Sequence, residues 1–79
     1  MQPDSPVRCY VGLKQSTEAV QDGTAKKAYI ALDADEHVRL PFEALCREHN
    51  VPIEFAETKA KLGKSCGINV PAAVAVELN

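Results

Sequence analysis

The sequence predicts an α/β domain with helices on both faces of a single sheet. Three observations carry that prediction. Short β-branched or apolar runs alternate with helical patterns along the chain, giving the order β-α-β-α-β-α-β; elements that alternate in this way pack as helices around a central sheet. Lys27 to Leu32 (K-A-Y-I-A-L) is nearly all apolar, as expected of an interior strand covered on both faces. The chain has 79 residues, enough for one domain, since a second core could not be filled from so short a sequence.

Residues 1–6 carry Pro3 and Pro6 among polar neighbours and read as a flexible tail, leaving residues 7–79 as the domain. Val7–Val11 is β-branched and aromatic and ends at Gly12, a strand followed by a turn. From Leu13 to Asp22 the spacing turns helical. Leu13, Ser16 or Thr17, and Val20 share the expected inner face, Lys14, Gln15, Glu18 and Gln21 the outer one, and Gly23 stops the helix. After the strand Lys27–Leu32, Asp33-Ala-Asp-Glu36 supplies a capping-box-like start and an acidic first turn. Pro41 disfavours helical geometry at Leu40. The expectation is therefore a short turn near residues 35–39, then a helix with Pro41 at its first position. That helix buries Phe42, Leu45, Cys46 and His49, with Glu43 and Arg47 as an exposed i,i+4 pair. Val51–Ala56 reads as the third strand and Lys59–Ser65 as a short helix with Leu62 inward. Gly67 breaks that helix, and a loop over 68–71 leads to the last strand, Ala72–Leu78.

Composition narrows the function classes. The net charge is −2, which by itself argues against a nucleic-acid partner. Distribution qualifies that sum. Lys14, then Lys26 and Lys27, then Lys59, Lys61 and Lys64 are set apart from an acidic group that includes Asp33, Asp35, Glu36, Glu43 and Glu48. A local basic face on an acidic protein is thus permitted. Three cysteines without a C-x-x-C pair, and no signal-like segment, point to a reduced cytoplasmic protein. The longest apolar run, residues 71–76, is far too short to span a bilayer.

Chemistry-bearing groups do not assemble into a catalytic site. Cys66 reads as a small buried thiol and Cys46 as core. His37 with Asp33, Asp35 and Glu36 resembles a metal cluster only superficially, because neighbours on a capping turn point in different directions. His49, near a helix C-terminus, is explained by the dipole. With no nucleophile, base and orienting group in view, the expectation is no enzyme, no metal and no cofactor.

The stretches I-A-L-D-A-D-E-H, A-L-C-R-E-H-N-V-P-I and L-G-K-S-C-G-I-N-V-P-A-A-V-A-V, with V-G-L-K-Q-S-T-E-A-V at Val11–Val20, resemble the ribosomal-type L7Ae/L30e superfamily. Its bacterial YbxF-type branch is the nearest. The resemblance covers residues 7–78, and L-G-K-x-C-G-I-x-V is its most specific segment. It implies a three-layer α/β/α sandwich whose four-stranded mixed sheet has the last strand inserted antiparallel to its neighbours. It also implies a partner: structured RNA containing a kink-turn, a bent internal loop built on tandem sheared G·A pairs. Glu18 stands where many members carry a basic residue, the N-terminal segment is too short and proline-rich for the family's first helix, and Pro71 replaces a residue that is often glycine.

Two loops would then make the contacts, one at Gly12-Leu13-Lys14-Gln15 and one at Ile68-Asn69-Val70. A glycine turn opening a helix presents unpaired N–H groups to a phosphate, Lys14 adds charge, and Gln15 offers both a donor and an acceptor to base edges. Ile68 and Val70 have two readings: apolar contacts for a splayed base, or core residues at a strand entrance. Lys26, Lys27, Lys61 and Lys64 are candidates for backbone contacts, or ordinary solvated lysines. A monomer that binds RNA in the cytoplasm is the favoured reading. A protein-interaction module using the acidic face of the same fold is the alternative.

Overall fold

Seven elements follow one another as expected: β1 (Cys9–Val11), α1 (Leu13–Asp22), β2 (Ala25–Ala31), α2 (Glu36–Glu48), β3 (Ile53–Ala56), α3 (Lys59–Ser65) and β4 (Val74–Leu78). The computed structural model describes residues 9–68 and 70–78, so the tail expected over 1–6 lies outside the described residues. The strands form one sheet in the order β1-β4-β2-β3. β4 runs antiparallel to both of its neighbours, while β2 and β3 are parallel. The mixed four-stranded sheet with an inserted last strand is therefore observed.

Strand alternation decides what each face of the sheet buries. Ala28 and Ile30 of β2, with Val74 and Val76 of β4, join Ala19 and Val20 of α1 and Phe42 and Cys46 of α2 in one cluster. Ala31 and Ala75 face the other way and pack with Leu62 of α3, Ala34 and Ala72. Two helices cover one face and α3 the other, giving the three layers. Alanines and valines dominate because only two phenylalanines and two tyrosines are present.

Several boundaries differ from the expectation, each for a physical reason. α2 is continuous from Glu36 and contains Pro41, instead of starting at Pro41 after a turn. Asp35 caps the helix by accepting the His37 N–H, and Val38 and Arg39 both donate to the Asp35 carbonyl. An interior proline costs about 3 kcal/mol. Pro41 and the preceding turn at His37 are exposed, so the carbonyl left without a helical donor faces solvent, while Phe42 and Cys46 are fully buried. His49, expected inside, is the exposed C-cap of this helix.

β2 begins at Ala25, ahead of Lys27, through an irregularity in its pairing with β4 between Ala25 and Lys27. β3 begins at Ile53 because Pro52 contributes only its carbonyl, to the Ala28 N–H. β4 begins at Val74 because Ala72 donates to the Lys59 carbonyl of α3 and not to a strand. Leu13 was expected on the inner face of α1 but is 42% exposed; Ser16, Ala19 and Val20 do the packing.

The segment between α3 and β4 lies directly on its helix. Ile68 donates to the Gly63 carbonyl. A Cβ built on Gly63 would overlap the Val70 carbonyl oxygen and come within 3.1 Å of its carbon. Glycine inside a short helix costs about 1 kcal/mol relative to alanine, so this one is explained by close approach. Gly63→Ala is therefore expected to destabilise the protein by about 1–3 kcal/mol, the range of overpacked sites, instead of stabilising a helix as the same change does in the open. Urea unfolding monitored by circular dichroism measures the sign directly.

Candidate nucleic-acid interface

The first turn of α1 differs from the other two helix starts. Gly12 adopts φ 103° and ψ 153°, in the region where a side chain is strained. Its N–H donates to the Val74 carbonyl at 3.1 Å, which ties the turn to β4, and its carbonyl receives Ser16 N–H at 3.0 Å. Ser16 is fully buried and its hydroxyl donates to the Tyr10 carbonyl.

α2 is capped by Asp35, whose carboxylate lies 2.8 Å from the His37 nitrogen. α3 is capped by Thr58, accepting from Lys61 N–H at 3.1 Å, and Asp33 takes the Lys59 N–H at 2.8 Å. α1 has neither a capping side chain nor an acid in its first turn. Its early N–H groups and positive dipole end are thus left for an anion. Leu13, Lys14 and Gln15 are all exposed around them, as is Glu18 one turn later.

A second group gathers around α3. Lys61, Lys64, Ile68 and Val70 line one apolar groove together with Ala60 and Pro71. Val70 is 58% exposed and Ile68 is half-buried. The segment then runs on to Ala73, which accepts the Ala31 N–H, and to Val74, which accepts from Gly12. Both loops are thereby rooted at the same end of the sheet. Asn69 lies outside the described residues.

Lys26 and Lys27 are not brought to that end. They sit at the opposite end of β2, where Lys27 pairs with Glu77 in the sheet register, while the Gly12 turn meets the other end of β4. Both are also engaged: Lys26 lies 3.8 Å from Glu77 and Lys27 2.5 Å from Glu54. Lys61 pairs with Glu57. The ion pairs among the described residues leave out Lys14 and Lys64.

The groups that might have carried chemistry have structural work. Asp33 and Asp35 cap helices, and Asp35 also faces the His37 imidazole at 2.9 Å. Accepting the His37 backbone N–H, and then its ring, holds the Asp35 carboxyl below the usual range. Burial pushes the Cys46 thiol up to about 11 and the Cys66 thiol up to about 12, so neither supplies thiolate at neutral pH. Tyr29, missed by the sequence reading, donates its hydroxyl to Glu77 at 3.0 Å. Burial first, and Glu77 second, raise it to about 12.

Comparison with known proteins places this architecture. The chain belongs to the ribosomal protein L7Ae/L30e/S12e/Gadd45 family, whose sequence profile matches residues 5–79. A relative from Caldanaerobacter subterraneus, RNA-binding protein TTE2299, is 37% identical over 78 residues, covering 99% of this chain and 95% of the relative. RNA-binding protein YbxF of Geobacillus stearothermophilus is 38% identical over 63 residues, covering 80% of this chain and 77% of that one. Among solved structures, the Giardia lamblia 15.5kD RNA binding protein superposes with a TM-score of 0.82 at 30% identity. That match covers 90% of this chain, which spans 60% of the Giardia protein's length.

The exposure of Val70 separates its two readings. Val70→Ala is expected to change unfolding free energy by less than about 0.5 kcal/mol, as for other surface substitutions. Leu62→Ala, on the buried side of the adjoining helix, is expected to cost about 2–5 kcal/mol. Equal costs in a chemical-denaturation experiment would return Val70 to the core.

Proposed function

We propose that this protein binds structured RNA and recognises kink-turns, without catalysis, through the Gly12–Gln15 turn and the loop at 68–70. The observation that carries the reading is the uncapped start of α1. A tight glycine turn places the uncapped start of α1 beside Lys14, a cation outside the ion pairs among the described residues, and Gln15, an exposed amide. A phosphate on the helix start and a guanine edge at Lys14 or Gln15 fit these groups. Ile68 and Val70 offer apolar contact to an unstacked base, the form in which RNA sequence is usually read. Lys64, and Lys61 if it exchanges Glu57 for a phosphate, would hold the backbone. Family membership and the names of the relatives support RNA as the partner. Lys26 and Lys27 drop out of this surface, being at the far end of β2 and paired.

Titration against a kink-turn RNA and a control with its sheared G·A pairs changed to Watson–Crick pairs tests the reading. The kink-turn is expected to bind at least about tenfold tighter, about 1.4 kcal/mol. Gln15→Ala is expected to weaken that binding by about 1–3 kcal/mol while leaving folding intact. Equal affinity for both RNAs would reduce the surface to a non-specific cation patch. Binding to a protein partner with no RNA affinity would favour a protein-interaction module instead.

Glu18 opposes this function and provides a second test. It lies one turn after Lys14 on the same exposed face, so a phosphate that approaches Lys14 meets its negative field. At separations of about 6 Å such a charge is worth roughly 0.7–3 kcal/mol, with salt moving the value to the low end. Glu18→Lys is therefore expected to tighten kink-turn binding and steepen the dependence of log K on log salt by up to about one unit. Unchanged binding at low salt would remove this helix face from the interface.

A further inference from the structure

Cys9 and Cys66 are used neither by the RNA surface nor by the main core. Val11, at the end of the edge strand β1, packs into the cluster beneath α3, so alternation along the strand turns Cys9 to that same side. Cys66 is the C-cap of α3 and packs against that cluster too. The two side chains line one pocket, with Leu62, Ser65, Tyr29 and Glu77 around them, and both are free and half-buried. Cys46 is fully buried in the cluster on the other face of the sheet, away from both.

We propose that Cys9 and Cys66 form a dithiol site that closes to an intramolecular disulfide when it meets a low-molecular-weight disulfide, RSSR. The Cys66 thiol, held protonated by burial and by the neighbouring Cys9 thiol, is a poor first nucleophile. The first attack therefore falls to Cys9. Its thiolate, having given its proton to solvent, bonds to one sulfur of RSSR and releases one RS⁻. The Cys66 thiol gives up its proton to solvent as its sulfur attacks Cys9 Sγ and displaces the second RS⁻, and solvent returns one proton to each RS⁻. Two thiols lose two electrons and two protons, RSSR is reduced to two RSH, and one sulfur–sulfur bond remains.

The cross-link would join the edge strand to α3 across β4. It also ties together the roots of the two loops, since β1 runs into Gly12 and Cys66 runs into Gly67 and Ile68. The site stands independently of the RNA reading.

The test uses the full chain and oxidised glutathione as the probe. Free thiols should fall from three to one, the mass should drop by two hydrogens, and the product should stay monomeric. Peptide mapping should join the peptides containing Cys9 and Cys66, and dithiothreitol should reverse the change. The oxidised form should unfold at least about 5 °C higher, because a cross-link restricts the unfolded chain. Cys46→Ser should close the same bond. Cys9→Ser should not, and it tests the site independently of any folding defect in Cys66→Ser. A wild-type product that stops as a glutathione adduct, retains three thiols, or links one chain to another would overturn the proposal.

Discussion

The close passage of the Val70 backbone over Gly63 governs the rest of the molecule. α3 is short, and the segment that follows must return to the start of β4. It does so by lying on the helix, with the Ile68 and Ala72 N–H groups given to the Gly63 and Lys59 carbonyls. Nothing larger than a hydrogen fits at position 63. That contact delivers β4 into the middle of the sheet, where it pairs with β1 on one side and β2 on the other. The Gly12 turn, bonded to the Val74 carbonyl, takes its position from β4. One packing constraint on the α3 face therefore places both loops.

The electrostatic logic is local. A chain of net charge −2 repels RNA on average, yet its acids are largely occupied: Asp33 and Asp35 in caps, Glu57, Glu54, Glu77 and Glu43 in ion pairs. A carboxylate paired with a lysine or arginine contributes less to the field at a distance than its formal charge implies, whereas the capping aspartates keep theirs. The exposed end around α1 carries a helix start without a capping side chain, and Lys14, so the sign of the potential near that turn is set by neighbours and not by the total.

Much of this architecture was legible in the sequence, and the parts that were not share a cause. The nearly continuous apolar run K-A-Y-I-A-L, the apolar stretch that opens residues 72–78, and the glycines at 12 and 23 are local signals, and the elements they announce are present. Leu13 was misplaced because helical spacing fixes an angle around an axis, whereas its exposure depends on where the sheet ends. Pro41 hid the first turn of α2 because its local cost is plain in sequence, while the Asp35 cap and the burial of Phe42 that outweigh it are not. Lys26 and Lys27 read as site lysines because sequence shows charge but not which end of a strand carries it. The neighbourhood of Cys9 and Cys66, like the need for glycine at 63, arises from contacts between segments far apart in the chain. The family resemblance supplied the insertion of the last strand antiparallel to its neighbours, which periodicity alone could not.

The place of β4 in the sheet has a consequence for how the protein acquires its structure. Among the four strands it comes last in chain order, yet it is central and bonded on both edges. Until it arrives, β1 has no partner strand, and β2 with β3 is the largest sheet available. A two-stranded pair is marginal in water. During synthesis the helices and the β2–β3 pair can form only transiently, and their apolar faces have no completed sheet to cover. Closure is a single late event that depends on sequence-distant contacts, the kind that slows folding. A ribosome that pauses before Val74 would hold a domain that lacks its central strand and almost all of its cooperative stability.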